Sequence, residues 1–595
     1  MDEKRIGELV GEVKQRRLAR RAFIRAMLAA GLTLPMAGTL LMNAGVASAA
    51  PARDYKPRKR GGGGHLKLLM WQGPTLLNPH FAAGTKDVYG ARLFYQSLAE
   101  WDMDGNLIPI LAAELPTVQN GGIAPDGLSV TWNLRNDVKW HDGRPFTADD
   151  LEFNQEYASD PAAATVTIGI YDKVRVEKLG AHKVRLRFGH PTPFWAEAFV
   201  GARGMIIPKH HYDAYRGAKS RDAPANLKPV GTGAYRFVSF VPGDMLRAAI
   251  NADYYEDNRP HFDAVEMKGG GDAVSAARAV LQTGEFDYAW NVLVEDEILR
   301  RLEAGGKGRV SITPGGNCEY VVLNTTDPGT EVDGERASIK TTHPVFSDRA
   351  VRDAFKLLID RQSIVQHVFG RTGVLTPNFL ENPKQYRSPN IKWEFNVDKA
   401  NALLDQAGWR RGAGGLREKG GRKMKFVFQT STNAPRQKVQ AIIKQSCQKA
   451  GMELELKSVV ASVFFSTDPG NNDTYLKFYA DIEMFTTAGN ADPELQMRNF
   501  TSANIPQKHN KWGVQNAARW RNAEYDATFR AAQSELDSAK RAALFIRMND
   551  LLVTDGYIHP IANRPGVAAL AKNLRAQLSS WSSDVFLIQD WYREG

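Results

Sequence analysis

Apolar and polar residues alternate with a period of two in several short segments of the chain. This alternation predicts strands that are buried on one face only. The segments are Leu128–Leu134, Lys183–Phe188, Met424–Phe428 and Met452–Lys457.

Other segments repeat apolar residues at intervals of three and four after a polar capping residue, which predicts helices. One such helix begins at Asp272, a second begins at Ser347 or Asp348, and a third begins at Asn396 or Asp398. Gly408 marks the carboxyl end of the third, since glycine readily ends a helix. Strands and helices alternate along the chain, and this alternation predicts an α/β fold.

The composition is that of a globular protein. The chain has 595 residues, of which 43% are hydrophobic and 24% are charged. Its length suggests about four domain-sized units. These values exclude wholesale disorder, a collagen-like repeat and a polytopic membrane protein. Two cysteines, Cys318 and Cys447, are too few for a disulfide framework or a four-thiolate metal site. The sequence leaves open whether they are joined.

Residues 16–50 contain a basic stretch, an apolar run and small residues at their end, as in an export signal. Arg20 and Arg21, with the Phe-Ile-Arg that follows, resemble the twin-arginine motif. A retained amphipathic or anchor helix is the alternative, but the apolar run contains Pro35 and is shorter than the roughly 20 residues that span a bilayer. We therefore expect residues 1–49 to be a signal peptide and the mature protein to be periplasmic.

The formal charge of +11 lies mainly near the amino terminus. Residues 1–49 hold eight basic and four acidic residues, and Pro51–Arg60 adds five basic residues against one acid. The sequence predicts that residues 50–64 form a flexible basic and glycine-rich leader. The remaining body carries only about +3 and has no basic run with interleaved aromatics, so no nucleic-acid partner is expected.

Motifs for common catalysts are absent from the sequence. The chain contains no G-x-S-x-G, H-E-x-x-H, phosphate-binding P-loop or G-x-G-x-x-G segment. His210 and His211 are adjacent, and on a strand they would point to opposite faces, so they are interpreted as loop or surface histidines. We expect no cofactor, no metal site and no enzymatic activity.

The longest motif runs from Trp132 to Asp150, WNLRNDVKWHDGRPFTADD. It comprises a strand, a tight turn at Asp142-Gly143 and a helix that Thr147 begins. With it the chain resembles the family 5 extracellular solute-binding proteins, which include periplasmic oligopeptide-, dipeptide- and nickel-binding proteins of ABC importers. Further segments match in the family's order: Pro229–Phe237, Gly284–Asp287, Asp348–Arg361, Asp398–Trp409 and Asp492-Pro493.

The resemblance implies a bilobal α/β periplasmic-binding-protein-like fold with a hinge and an extra domain inserted in the first lobe. It implies a ligand in the cleft, closure around it, membrane permease subunits as partners and a monomer. The implied parts are lobe I at 65–99, 228–314 and 560–595, the extra domain at 100–227, and lobe II at 315–559.

The resemblance also implies which residues bind the ligand. In lobe I these lie after two strands, and in lobe II they lie in and before the loop that precedes Asp492-Pro493. Two adjacent aromatics, Phe464 and Phe465, are expected on a strand, where only one can face the ligand. The implied set is Gly84, Thr85, Tyr288, Trp290, Asn291, Phe464, Glu483, Phe485, Thr486, Thr487, Gly489 and Asn490.

One position departs from the family pattern. Peptide-binding members often have an aspartate in the second-lobe loop that pairs with the peptide's free amine, and Gly489 occupies that position here. Glu483 is the nearby carboxylate that would replace it. The implied ligand is a peptide or another polar organic solute. A secreted hydrolase and a broad-specificity chaperone-like binder are the alternative functions.

Overall fold

The computed structural model describes residues 55–103, 105–466 and 468–594, together with isolated positions between 5 and 27. The predicted signal peptide therefore lies almost entirely outside the described residues. Residues 55–64, predicted to be a flexible leader, are held against the body of the protein. Arg60 donates to the carbonyl oxygens of Tyr254, Glu256 and Arg259, and Gly61 N donates to Pro260 O at 2.8 Å.

Strands and helices alternate through the described chain, as the sequence predicted. The strands are β1 His65–Met70, β2 Ala99–Trp101, β3 Leu107–Pro109, β4 Ser129–Asn133, β5 Val174–Gly180, β6 Lys183–Phe188, β7 Tyr235–Val241, β8 Met245–Ile250, β9 Ala264–Gly269, β10 Tyr288–Ala289, β11 Gly308–Leu323, β12 Glu331–Val332, β13 Glu335–Arg336, β14 Val374–Leu375, β15 Arg410–Arg411, β16 Arg417–Lys419, β17 Arg422–Lys423, β18 Lys425–Ser431, β19 Glu453–Val459, β20 Ile482–Thr487, β21 Ile558–Ala571, β22 Leu574–Arg575 and β23 Tyr592–Arg593. The α-helices are α1 Thr85–Arg92, α2 Ala148–Ser159, α3 Ile168–Tyr171, α4 Lys209–Tyr212, α5 Ala273–Leu281, α6 Asp296–Glu303, α7 Arg349–Leu357, α8 Arg361–Ile364, α9 Val397–Gln406, α10 Ala434–Lys449, α11 Ala461–Phe464, α12 Glu494–Arg498, α13 Ala523–Ala532 and α14 Ser538–Thr554.

The predicted helix starts are found at capping residues. The side chains of Asp272, Asp348 and Asn396 accept hydrogen bonds from the backbone in the first turns of α5, α7 and α9. Thr147 and Asp150 form a capping box at the start of α2, which satisfies backbone donors at both positions. Gly143 in the preceding turn has φ of 90°, a conformation that favours glycine.

One 11-stranded sheet runs through the molecule, in the order β19-β18-β20-β11-β21-β10-β1-β9-β8-β7, with β14 paired to β21. The long antiparallel pair β11 and β21 joins its two halves. The part of β11 up to Thr313 pairs with Gly566–Ala571, and the part from Asn317 pairs with Ile558–Arg564, with a shift of register between them. A register shift bends a strand locally, so this is where the sheet changes direction.

The buried apolar residues form separate clusters on the two sides of that register shift. The first cluster includes β1, β9 and β10 together with the smaller β4-β6-β5 sheet. The second and third clusters pack around β18, β20 and the second part of β11. The mixed α/β architecture with two cored halves joined by paired strands agrees with the predicted bilobal fold. Cys318 and Cys447 are both buried and are not joined.

Candidate functional site

Two tryptophans lie side by side at the carboxyl ends of neighbouring parallel strands. Trp71 follows β1 and Trp290 follows β10, and these strands pair in parallel. The ring centroids of Trp71 and Trp290 are 6.1 Å apart, with 28° between the ring planes. Tyr89 of α1 packs on Trp290 at 5.6 Å. Ligands of open α/β sheets bind beyond the carboxyl ends of the strands, and these rings form an aromatic wall at that edge.

Tyr288 supports this wall from within the core. Its hydroxyl donates to Asp584 Oδ2 at 2.6 Å, and Asp584 N donates to the hydroxyl of Tyr89 at 3.0 Å. Burial raises the pKa of Asp584 to about 6, although the hydrogen bonds from Tyr288 and Tyr89 lower it. Tyr288 has no exposed surface, and Asp584 connects it to Tyr89, whose ring packs on Trp290.

Asn291 lies beside the junction between the two halves of the molecule. Its carbonyl oxygen accepts a hydrogen bond from Trp71 Nε1 at 2.9 Å, and its φ is 46°. Two residues later, Leu293 packs in the second core, and Asn433 Nδ2 donates to its carbonyl oxygen at 3.3 Å. The tryptophan pair is thus tied directly to the junction between the halves.

A buried cluster of charged groups lies on the other side of this junction. Arg436 Nε donates to Glu319 Oε1 at 2.8 Å, and Arg564 Nη1 lies 3.6 Å from Glu319 Oε2. Thr486 donates to Glu319 and accepts from Arg436 Nη2 at 2.9 Å. Burial alone would raise the pKa of Glu319, but the charges of Arg436 and Arg564 hold it below its usual value. One carboxylate beside two guanidinium groups leaves an excess positive charge.

The other predicted loop residues lie along the same edge. Thr487 donates to the hydroxyl of Tyr320 at 3.1 Å. Phe485 is buried in the third core, whereas Thr486 and Asn490 are half-buried. Gly489 is buried and donates its N–H to Asn317 Oδ1 at 3.1 Å, which places it directly against the register shift of β11.

Glu483 points into the interior of the second half, away from this edge. Its side chain has no exposed surface, and Oε1 accepts from Gln429 Nε2 at 3.0 Å. Burial raises the pKa of Glu483 well above its usual value despite the nearby charge of Arg519. An enclosed carboxyl group whose charged form is disfavoured by burial does not provide an accessible anchor for an amine.

The prediction that Phe464 and Phe465 lie on a strand is wrong. Phe464 ends the single-turn helix α11 and Phe465 follows it. Phe464 is buried in the third core, while Phe465 is half-buried with the Arg436 guanidinium 5.9 Å from its ring centroid. The backbone of residues 461–464 closes a helical turn because Phe464 N and Phe465 N donate to Val460 O and Ala461 O.

Gly84 and Thr85 lie at the beginning of α1. Gly84 is the half-buried N-cap residue, and Thr85 is exposed. The helix that they begin carries Tyr89 to the aromatic wall. The preceding turn is anchored by Asn78, which is buried and donates to Asn226 Oδ1 at 2.8 Å.

Residues 169–173 also meet the second half of the chain through charged groups. Lys173 Nζ lies 2.7 Å from Glu494 Oε1, and Arg498 Nη1 donates to Gly169 O at 2.5 Å. Burial alone would raise the pKa of Glu494, but the charges of Lys173, Arg498 and Arg541 lower it to about 2. Glu197 faces the same group, and burial together with the charge of Glu494 raises its pKa to about 7.

Replacing Lys173 with methionine is expected to loosen this contact. The wild-type ion pair is only 28% and 9% exposed, and a partly buried pair of this kind contributes on the order of 1 kcal/mol. The radius of gyration measured by small-angle X-ray scattering should increase and the melting temperature should fall. Lys178→Met is the control, because Lys178 pairs with Asp149 and Glu152 and not with the second half of the chain.

The pH dependence of the same contact has a defined sign. The pKa of Glu494 is lowered from 4.5 to about 2. The stability that its ion pairs add is therefore complete above about pH 4.5 and is lost as the pH falls towards 2. The difference in melting temperature between wild type and Lys173→Met should therefore become smaller in acid. Identical scattering curves and melting temperatures at neutral pH would contradict this role of Lys173.

Comparisons with known proteins identify the fold and the family. The model for bacterial extracellular solute-binding proteins, family 5, matches residues 106–507. The oligopeptide-binding protein AppA of Bacillus subtilis is 25% identical over 92% of this chain and 94% of its own length. The glutathione-binding protein GsiB of Shigella boydii is 23% identical over 84% of this chain and 89% of its own length.

Solved structures give the same result. The structure of AppA from Bacillus subtilis in complex with a nonapeptide covers 91% of this chain and 100% of its own, with a TM-score of 0.75 and 22% identity. NikZ from Campylobacter jejuni in complex with Ni(L-His) covers 89% of this chain and 99% of its own, with a TM-score of 0.75 and 21% identity.

The fold is therefore periplasmic-binding-protein-like. The chain belongs to the bacterial extracellular solute-binding proteins of family 5, as its motifs indicated. Among the described residues, no helix has both the length and the apolar character needed to cross a membrane.

Sequence analysis did not identify every residue at this site. Trp71, Tyr89, Glu319, Arg436 and Arg564 were missed. Trp71 was missed because the parallel pairing of β1 with β10, which brings it beside Trp290, is set by the tertiary structure. No local signal marks Glu319 and Arg436, which meet across 117 positions of sequence.

Proposed function

We propose that this protein is the periplasmic substrate-binding component of an ABC importer and that it delivers a polar organic solute to membrane permease subunits. The support is family membership together with an aromatic wall and a buried charged cluster that lie on the two sides of the junction between the halves. In this proposal the protein acts as a monomer, releases the solute unchanged and makes or breaks no bond.

We further propose the boundaries implied by the sequence: lobe I at 65–99, 228–314 and 560–595, the extra domain at 100–227, and lobe II at 315–559. The register shift in β11 between Thr313 and Asn317 supports a hinge near residue 314. Hinge motion at this position would change the separation between Trp290 and Thr486, which lie on opposite sides of the junction.

The charged cluster favours a ligand that carries a carboxylate. Glu319 is shared by Arg436 and Arg564, and Arg564 Nε has no hydrogen-bond partner among the described residues. A guanidinium group pairs well with a carboxylate because it presents two parallel N–H donors. Relatives named for binding oligopeptides and glutathione are consistent with this ligand class.

The local structure provides little for a peptide's free amine. Gly489 has no side chain and Glu483 is enclosed, so neither offers an exposed negative charge. We therefore propose that the carboxylate end of the solute is recognised by charge, while the remainder contacts the Trp71–Trp290 wall. An oligopeptide, an opine-like conjugate and another carboxylate-bearing metabolite all meet this description.

A thermal-shift screen with matched peptides tests the proposal. Each peptide is used in its free form, with its amine acetylated, and with its carboxyl group amidated. A ligand at a hundredfold excess over its Kd adds about 2.7 kcal/mol of apparent stability. Acetylation should preserve the shift and amidation should reduce it. Mass spectrometry of the recovered ligand checks the binding function, since chemical turnover would instead support a hydrolase.

Trp290→Ala is expected to weaken binding of any solute that the screen identifies by at least about tenfold, because it removes the central ring of the wall. Trp512→Ala is the matched control, since Trp512 lies in the second half and contacts Lys477. Isothermal titration calorimetry measures both variants. Unchanged affinity in Trp290→Ala would remove this residue from the site. In the thermal-shift screen, small increases in melting temperature with many unrelated compounds would instead favour a broad-specificity, chaperone-like binder.

A further inference from the structure

A group of three metal-ligating side chains lies on the inserted segment, away from the aromatic wall. His210 Nε2 and His211 Nε2 lie 2.6 and 3.1 Å from the same oxygen of Asp142, Oδ2. The ligand atoms of the three side chains all lie within 4.8 Å of one another. The two histidines lie on helix α4 and not on a strand, so they do not point to opposite faces.

The single turn of α4 explains how neighbouring residues converge. The two imidazole centroids are 4.6 Å apart, with 50° between the ring planes. Helix α4 is fixed to the fold because Lys209 N donates to Asp150 Oδ1 at 3.1 Å. The ring of Trp140 packs at 73° to that of His210, with centroids 6.4 Å apart. These contacts hold the histidine pair beside the Asp142-Gly143 turn.

The Asp142-Gly143 turn also directs the Asp142 side chain towards the two histidines. Arg144 N donates to Asp142 Oδ1 at 3.2 Å, which leaves Oδ2 for the imidazoles. The preceding residue, His141, is occupied by the backbone: Gly231 N donates to its Nδ1, and its Nε2 lies 2.9 Å from Gly233 O. His141 is therefore a support for the turn and not a fourth ligand.

We propose that Asp142, His210 and His211 bind one borderline divalent cation such as Zn²⁺. Two imidazole nitrogens and a carboxylate oxygen are a donor set that such cations accept, at roughly 2.0–2.2 Å from each donor. The three ligand atoms lie within 4.8 Å of one another, close enough for a single cation to contact all of them. The side chains are 18%, 36% and 30% exposed for His210, His211 and Asp142, so water completes the coordination.

This cation site is separate from the proposed solute site. Bound Zn²⁺ would link the turn at residue 142 to α4, which lies 68 positions further along the chain, and would thereby stabilise the inserted segment. It requires neither the Trp71–Trp290 wall nor the Glu319 cluster, so its failure would leave the proposed transport function unaffected.

Titration of the untagged mature protein with Zn²⁺ tests the site, and isothermal titration calorimetry measures the binding. We expect one Zn²⁺ per chain and a melting temperature that rises with Zn²⁺ concentration. The double variant His210→Ala/His211→Ala and the single variant Asp142→Asn should each weaken binding at least tenfold, with unchanged circular dichroism. Co²⁺ supplies a second readout, because its visible absorption reports coordination by nitrogen and oxygen.

Controls distinguish this site from general histidine binding. His190→Ala and His509→Ala remove exposed histidines outside the cluster and should bind Zn²⁺ as wild type does. Trp290→Ala should also bind it normally. Absence of a one-to-one complex in the wild type, or wild-type affinity in the double variant, would overturn the proposal.

Discussion

Gly489→Asp is expected to destabilise the protein and to create no anchor for a peptide's amine. A Cβ atom at residue 489 would lie 2.3 Å from the carbonyl carbon and oxygen of Gly316 and 2.4 Å from its Cα. These are backbone atoms of β11, which cannot rotate away as a side chain would. Overpacking of this kind costs about 3 kcal/mol, and a buried carboxylate adds to that cost. Differential scanning calorimetry measures the loss.

Gly489→Ala separates the cost of the steric clash from the cost of burying a carboxylate. Gly489→Ala should cost nearly as much as aspartate, because the clash begins at Cβ. Ala488→Asp is the matched control, since Ala488 is exposed next to Gly489 and a surface substitution usually changes stability by less than about 0.5 kcal/mol. Wild-type stability in Gly489→Ala, or tighter binding of free-amine peptides by Gly489→Asp, would show that this loop is not confined by the strand.

Glu319→Gln is expected to destabilise the second half of the protein strongly. The substitution removes the carboxylate that faces both Arg436 and Arg564, which are 5% and 4% exposed. Removing one partner of a buried ion pair costs about 3–5 kcal/mol, because the remaining charge is left without compensation. Thermal and urea denaturation measure the effect.

The control for Glu319→Gln is the exposed pair between Lys425 and Glu453, whose side chains are 58% and 49% exposed. Glu453→Gln should change stability by less than about 1 kcal/mol. A double variant, Glu319→Gln/Arg436→Met, should recover part of the loss, because it also removes one uncompensated charge. Equal losses for the single and double variants would mean that the interaction is not electrostatic.

The pH dependence of Glu319→Gln follows from the lowered pKa of Glu319. Its contribution is complete above the usual pKa of 4.5 and is lost as the pH falls below that value. The stability difference between wild type and variant should therefore narrow in acid. A constant difference down to pH 2 would contradict the assigned charge state.

Much of the local structure follows from short segments of sequence. The strand, turn and capping residues of Trp132–Asp150 specify β4, the turn and the start of α2 without reference to the rest of the chain. Periodicity likewise located β18 and β19, and capping residues located α5, α7 and α9. These signals are reliable because the hydrogen bonds that they describe join residues only a few positions apart.

The candidate site was predicted only in part. Tyr288, Trp290 and Asn291 follow the family pattern, and the structure brings them together with Trp71 at one edge of the sheet. Trp71 was not anticipated because strand order, which makes β1 and β10 neighbours, is not written in either segment. The Arg410–Lys423 stretch shows the same limit: its charge suggests a solvated surface, yet Arg417 is buried and donates to Ala450 O at 2.8 Å.

The family, the alternation of strands and helices and the residue types available for binding can be read from the amino-acid sequence. The contact of Gly489 with Gly316, the enclosure of Glu483 and the convergence of His210 and His211 on Asp142 appear only in the folded protein. These contacts join residues that are far apart along the chain. Capping and periodicity act within one helix turn or one strand, whereas these contacts depend on how separate elements pack, and packing determines which charges are exposed, neutral or paired.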